Sequence, residues 1–295
     1  TYNTAVGYSA GDHITTGVQN TIIGGQAGDA LTDADQNVAV GHAALGTDTL
    51  GSKSTAIGTN ALADQNFTTA TDAANTAVGY NAGAATTTGL RNVSVGGFAG
   101  DALTDADDNV AIGAYALTND TLGSRSVAIG KEALAAQNFT TATNSNNVAV
   151  GAFAGNAVST GDKNTLIGAN AGVLINTGVQ NTAVGHLAAA AITDDADTVA
   201  VGYQALTACT VGGNTAVGSE AFQASTTGNS NVAMGIQAGR FVTTGDGETF
   251  VGANAGKGIT GAKTTGDNNT AIGKDAGLLL QGAAEKNTLI GALAG

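Results

Sequence analysis

Asn3-Thr4-Ala5-Val6-Gly7-Tyr8-Ser9-Ala10 states a pattern that returns as Asn20-Thr21-Ile22-Ile23-Gly24-Gly25-Gln26-Ala27 and again as Asn37-Val38-Ala39-Val40-Gly41-His42-Ala43-Ala44. The motif glycine falls at 7, 24, 41, 58, 79, 96, 113, 130, 151, 168, 185, 202, 218, 235, 252, 273 and 291, which makes seventeen copies in 295 residues. Eleven of the intervals are 17 residues, three are 21, one is 16 and one is 18. A unit this short cannot bury its own apolar face, whereas identical units stacked in register can, each strand pairing with its equivalent in the next coil.

The columns of the repeat say what each position does. The residue two before the glycine-preceding one is always Thr or Val, and the residue just before the glycine is always Val, Ile or Met. These β-branched choices favour extended backbone. Between them stands Ala in twelve copies, replaced by Ile22, Ser94, Leu166, Phe250 and Leu289. Period-2 alternation puts this middle residue on the opposite face from its neighbours. Taking the invariant Val/Ile column as the filling of the coil leaves the middle column outside, in need of cover. On that reading Ile22, Leu166, Phe250 and Leu289 are interface residues; the alternative is that both faces fill one flattened coil. Three residues after the glycine comes Ala in all seventeen copies, which implies a close approach there. Thr-Thr-Gly at 15–17, 87–89, 226–228, 243–245 and 264–266, and Asp-Ala-Asp at 33–35 and 105–107, supply turns. Each coil therefore reads as short strand, glycine turn, second short segment, polar turn.

The expected fold is an all-β parallel β-solenoid of about 17 coils. At the usual inter-strand spacing, sixteen steps would span roughly 77 Å. No stretch keeps a 3.6-residue period over three turns, so helix is not expected. Residues 3–74 and 75–146 align without gaps as two 72-residue blocks, and no linker interrupts the chain, so residues 1–295 read as a single continuous repeat domain.

Composition agrees. Gly occupies 45 positions, Pro and Trp none, aromatics 4% and charged residues 11%. Such a chain lacks the large side chains of an ordinary enzyme core of this size. Its 42% hydrophobic content argues against disorder. A net charge of −13 argues against nucleic acid or anionic membranes as partners, and no apolar run is long enough to insert into a bilayer.

The motif Asn-Thr/Val-Ala-Val/Ile-Gly-x-x-Ala, as at Asn37 to Ala44 and Asn109 to Ala116, resembles the head repeats of trimeric autotransporter adhesins, the YadA-like heads. It is similar too to Asn-Thr-Ala-Val-Gly-Tyr repeats of phage tail fibres. The resemblance covers the whole chain and implies a left-handed parallel β-roll, a side-by-side homotrimer and attachment to a surface. The coils here are longer than the adhesin repeat, and residues 1–295 read as repeat throughout, without the pattern of an anchor barrel, neck or coiled-coil stalk among them.

Candidate sites are few. Tyr8, Tyr80 and Tyr203 share the position after the motif glycine with His42 and His186, and an exposed aromatic row there would stack on the sugars of a glycan receptor, a solvated rim being the alternative. The 21-residue coils must accommodate four extra residues, carrying Phe67 and Phe139 in matching insertions and Lys257 and Lys263 in the third, and loops on a rigid scaffold often bind partners. The alternative is that these Phe pack back on the coil. Asp33 with Asp35, Asp105 with Asp107, and Asp194 with Asp197 are weak calcium candidates against solvated turns. No catalytic constellation, phosphate loop or cofactor motif is legible, His13 and the other two His are scattered, and Cys209 is alone. The sequence therefore reads as a non-enzymatic structural and adhesive fibre segment on a virion tail or bacterial surface. A self-assembling extracellular filament is the alternative, and a carbohydrate-active solenoid enzyme a remote one.

Overall fold

The computed structural model describes residues 2–295. They form two compact units, one ending at Asn147 and one beginning at Val148. The first holds eight three-residue strands, Thr4–Val6, Thr21–Ile23, Val38–Val40, Thr55–Ile57, Thr76–Val78, Val93–Val95, Val110–Ile112 and Val127–Ile129. The second holds nine, from Val148–Val150 to Thr288–Ile290. Within each unit consecutive motif strands pair in parallel and strictly in register, Ile22 beside Ala39 and Leu166 beside Ala183. The register survives a 21-residue coil unchanged, Ala56 facing Ala77. Among the described residues there is no helix. The chain is an all-β parallel β-solenoid of about seventeen coils.

The alternation is as expected but its sense is reversed. The middle column points into the coil, so Ala39, Ala56, Ala77 and Ala111 are fully buried together with Ile22, Leu166 and Phe250. Leu289, in the last coil, is half-buried. These four are core, and no neighbouring chain is needed to cover them. The Val/Ile column instead faces out, with Ile57 39% and Met234 46% exposed. The reason is volume: at the middle strand position the lumen fits a methyl group in most layers, the remaining space being filled from positions after the glycine, and the β-branched side chains on either side are left outside.

Bulky side chains enter the lumen from three positions, and Ile22 with Leu31, or Leu166 with Ile175, share one coil. Four residues after the motif glycine the backbone is left-handed in every coil, at φ +52° for Leu45, +49° for Leu62 and +47° for Gly28. Where Leu stands there it fills the layer, and Leu45, Leu62, Leu117, Leu134 and Leu206 are all buried. Left-handed backbone costs such a residue about 1–2 kcal/mol, which the buried side chain must offset. Where Gly stands there, the filling comes from three residues later: a Cβ on Gly28 would lie 2.8 Å from Leu31 Cδ1, and one on Gly172 2.8 Å from Ile175 Cδ1. Large middle-column residues use the same space. A Cβ on Gly172 would lie 2.7 Å from Leu166 Cδ2, and one on Gly256 2.4 Å from Phe250 Cδ1.

The motif glycine is required for a different reason. At φ +136°, a Cβ on Gly41 would meet the carbonyl oxygen of Gly58 in the next coil at 2.5 Å. The same collision with the next motif glycine recurs at Gly7, Gly79 and Gly185. Stacking at strand spacing leaves no room for any side chain in this column.

Candidate functional site

The opening Asn of each coil builds an internal polar ladder. Its side-chain oxygen accepts from the backbone N–H of the next Asn and its amide donates to a carbonyl fourteen residues on. Asn37 N donates to Asn20 Oδ1 at 2.9 Å, and Asn37 Nδ2 to Gly51 O at 2.9 Å. The amides thus bond backbone rather than one another in most layers, satisfying groups that burial would otherwise penalise. Reaching a carbonyl at i+14 presupposes a 17-residue coil. The four copies without Asn are the ones that open a coil of 21 or 16 residues: Ser54, Ser126, Glu248 and Thr198.

Each 21-residue coil repairs its gap. Gln65 swings inward, donating from Nε2 to Asp48 Oδ2 at 2.6 Å and accepting from Asn75 Nδ2 at 2.8 Å. Gln137 does the same with Asp120 and Asn147. Burial pushes the Asp48 carboxyl up from its ordinary value, against hydrogen bonds from Gln65 and the N–H groups of Phe67 and Gly51. In the third such coil Glu248 spans the gap itself, Oε1 accepting from Asn269 Nδ2 at 3.0 Å while buried Oε2 has no partner. Desolvation raises this carboxyl to about 7, with Asp267 and Asp246 adding repulsion.

Phe67 and Phe139 belong to these repairs. They are 6% and 7% exposed, so they do not offer receptor contacts, and the alternative of packing back holds. Phe67 N–H donates to Asp48 Oδ1 at 3.0 Å, and the ring covers Gly51. The extra residues form a short parallel pair, Gly51–Ser52 with Thr71–Asp72, rather than a projecting loop. The third insertion differs: Ile259 bridges Ala262 in antiparallel fashion, Lys263 is exposed, and half-buried Lys257 lines a hollow with Phe241, Ile259 and Leu279.

The acidic turns are occupied along the stack. Asp33 Oδ1 accepts from Thr16 Oγ1 at 2.5 Å, Asp35 Oδ1 from Val18 N at 2.7 Å, Asp105 Oδ1 from Thr88 Oγ1 at 2.6 Å, Asp107 Oδ1 from Leu90 N at 2.8 Å, and Asp194 Oδ1 from Thr177 Oγ1 at 2.8 Å. Asp197 takes the left-handed turn position, φ +60°. These carboxylates do the work of turn acceptors between coils, and among the described residues no three His, Cys, Asp or Glu side chains gather as a metal site. Cys209 is buried and its thiol pKa is pushed up by desolvation, which makes it unreactive.

Besides the polar turns, two exposed surfaces stand out. One is the outer strand face, where the Thr/Val and Val/Ile/Met columns lie side by side with no charged residue in any copy. The other follows the motif glycine. Tyr8, Tyr80 and Tyr203 are 82%, 53% and 50% exposed, as expected from the sequence, and the neighbouring column adds rings that the single-position reading missed. Tyr80 meets Phe98 edge-on at 5.3 Å, Phe98 stacks on Tyr115 at 5.2 Å, and His186 stacks on Tyr203 at 5.7 Å. Reading two adjacent columns together would have found this row, because Phe98, Tyr115 and Phe153 share the second.

Among the described residues no helix is long and apolar enough to cross a membrane. No protein-family model matches the chain, and comparison with curated proteins finds no match.

Proposed function

We propose that this chain is a non-enzymatic segment of an extracellular fibre, on a phage tail or a bacterial surface, in which left-handed coils of three copies associate side by side and serve attachment. The outer strand face carries this reading. Along the first unit Thr21, Val38, Thr55, Thr76 and Val93 alternate with Ile23, Val40, Ile57, Val78 and Val95 in unbroken register. A soluble sheet face is normally broken up by charge, and a continuous uncharged β-branched ladder marks a contact surface. The interface thus moves from the middle column to its two neighbours. The acidic side chains, engaged in turns and repairs, support a structural rather than catalytic use.

Light scattering at several concentrations tests the association. A constant trimer mass that falls to the monomer on Ile57→Lys with Ile112→Lys is expected. A monomer mass for the unaltered chain would refute the side-by-side fibre.

A further inference from the structure

Of the twelve Phe and Tyr residues, six stand in the two positions after the motif glycine: Tyr8, Tyr80, Phe98, Tyr115, Phe153 and Tyr203. The densest group occupies three successive coils of the first unit. Phe98 and Tyr115 are parallel within 5° at 5.2 Å between centroids. Tyr115 is 44% exposed and Phe98 is half-buried, so both rings keep surface open to solvent. The column beside them is bare for two coils: apart from its own chain neighbours, no heavy atom lies within 4 Å of where a Cβ of Gly97 would stand, and the next coil offers only Ala114. Tyr80, 53% exposed, closes one end of this notch. Lys131 stands at the other, its ammonium 3.3 Å from Glu132 Oε1.

We infer that the notch floored by Gly97 and Ala114 and walled by Phe98 and Tyr115 binds a neutral oligosaccharide of pyranose units. A pyranose presents an apolar C–H face to aromatic surface and hydroxyls at its rim, and the notch offers the complementary pair: exposed aromatic surface along its wall, and the Tyr80 and Tyr115 hydroxyls with the Lys131–Glu132 pair around it. The coil spacing is close to the advance per sugar of an extended glycan, so two successive units would meet two successive layers. An acidic glycan fits poorly, because the one cation at the notch is already paired and the chain carries a net charge of −13. This inference rests on the attachment reading for its biological sense and adds the class of ligand and the place.

Cellotetraose, maltotetraose and xylotetraose, titrated separately into the full chain, test it. Tyrosine fluorescence is a clean signal because the chain has no Trp. At least one tetrasaccharide is expected to saturate at about millimolar concentration, typical of shallow stacking sites. Gly97→Leu, whose Cβ enters open space and whose side chain occupies the notch, and Phe98→Ala with Tyr115→Ala should each weaken it by roughly tenfold or more, while Tyr8→Ala leaves it unchanged. Far-ultraviolet circular dichroism confirms that each variant is folded. Failure of all three sugars to saturate, or undiminished binding by folded Gly97→Leu, overturns the inference. An associated chain blind to all three sugars sinks this inference alone; a monomer that binds sugar sinks the fibre reading alone.

Discussion

Replacing Glu248 by Gln isolates a carboxyl whose titration falls near neutrality. In the folded chain this acid is held at about 7, against an ordinary 4.5, chiefly by burial. A raised carboxyl binds its proton more tightly folded than unfolded. Its contribution to stability is therefore complete below the unfolded value and is lost as pH rises through the folded one. The full difference corresponds to about 3 kcal/mol, and roughly 2 to 3 kcal/mol of it disappears between pH 5 and pH 8. Gln keeps the length that reaches Asn269 and cannot ionise. Urea unfolding followed by circular dichroism at pH 5, 6, 7 and 8 should show the unaltered protein losing this amount relative to the variant, most of it between pH 5 and pH 7. Asp48 and Asp101 are raised by burial as well, but they are common to both proteins and cancel in the comparison. Parallel pH profiles for the two proteins would refute the reasoning, because they would mean that the folded chain does not hold Glu248 protonated near neutral pH.

Gly96→Ala and Gly97→Ala should differ sharply in thermal unfolding although the residues are adjacent. The first puts a Cβ 2.7 Å from the Gly113 carbonyl carbon at φ +129° and should cost more than about 3 kcal/mol; the second meets nothing and should stay within about 0.5 kcal/mol. Asn92→Ala strips partners from the Asn109 N–H and the Ala106 carbonyl, both buried in the ladder, and should lower the unfolding free energy by about 2–4 kcal/mol in urea. Leu206→Gly should cost about 2–5 kcal/mol by emptying its layer. Adding Cys209→Leu, which supplies the filling from three residues later as Leu31 does for Gly28, should recover part of that loss in a double-mutant cycle.

The coil number, the parallel register and the strand positions were legible because a period of 17 repeated through seventeen copies overrides any local ambiguity. The fate of the insertions was not. Phe67 looks like a loop residue until Gln65 is seen to replace the amide missing at Ser54, a relation across eleven residues that only the closed coil brings together. The aromatic row was half visible, Tyr80 in one column and Phe98 in the next, because a column read singly cannot show contacts between columns. The Asp pairs suggested cation ligands since adjacency in sequence resembles a cluster. In the stack their oxygens point one coil back, to Thr16 and Thr88.

The reversed strand faces carry the more general argument. An invariant Val/Ile column beside a variable Ala column suggests that the larger, stricter one is core, and in a thick domain that inference holds because core space must be filled. In a coil this thin the limit is the reverse, since the interior rejects volume. Every departure from Ala in the middle column shows it: Ile22, Ser94, Leu166, Phe250 and Leu289 are each followed six residues later by glycine, at 28, 100, 172, 256 and 295. Conversely, each Leu in that later column, at 45, 62, 117, 134 and 206, is preceded six residues earlier by Ala. Two columns that compensate in volume share one enclosed space, so reading them as a pair would have identified the interior from sequence alone. The Val/Ile column shows no such compensation because it faces outward, and under the proposed side-by-side association its uniformity is that of a flat surface matching another copy, which makes the strand face rather than the coil lumen the place to test for association.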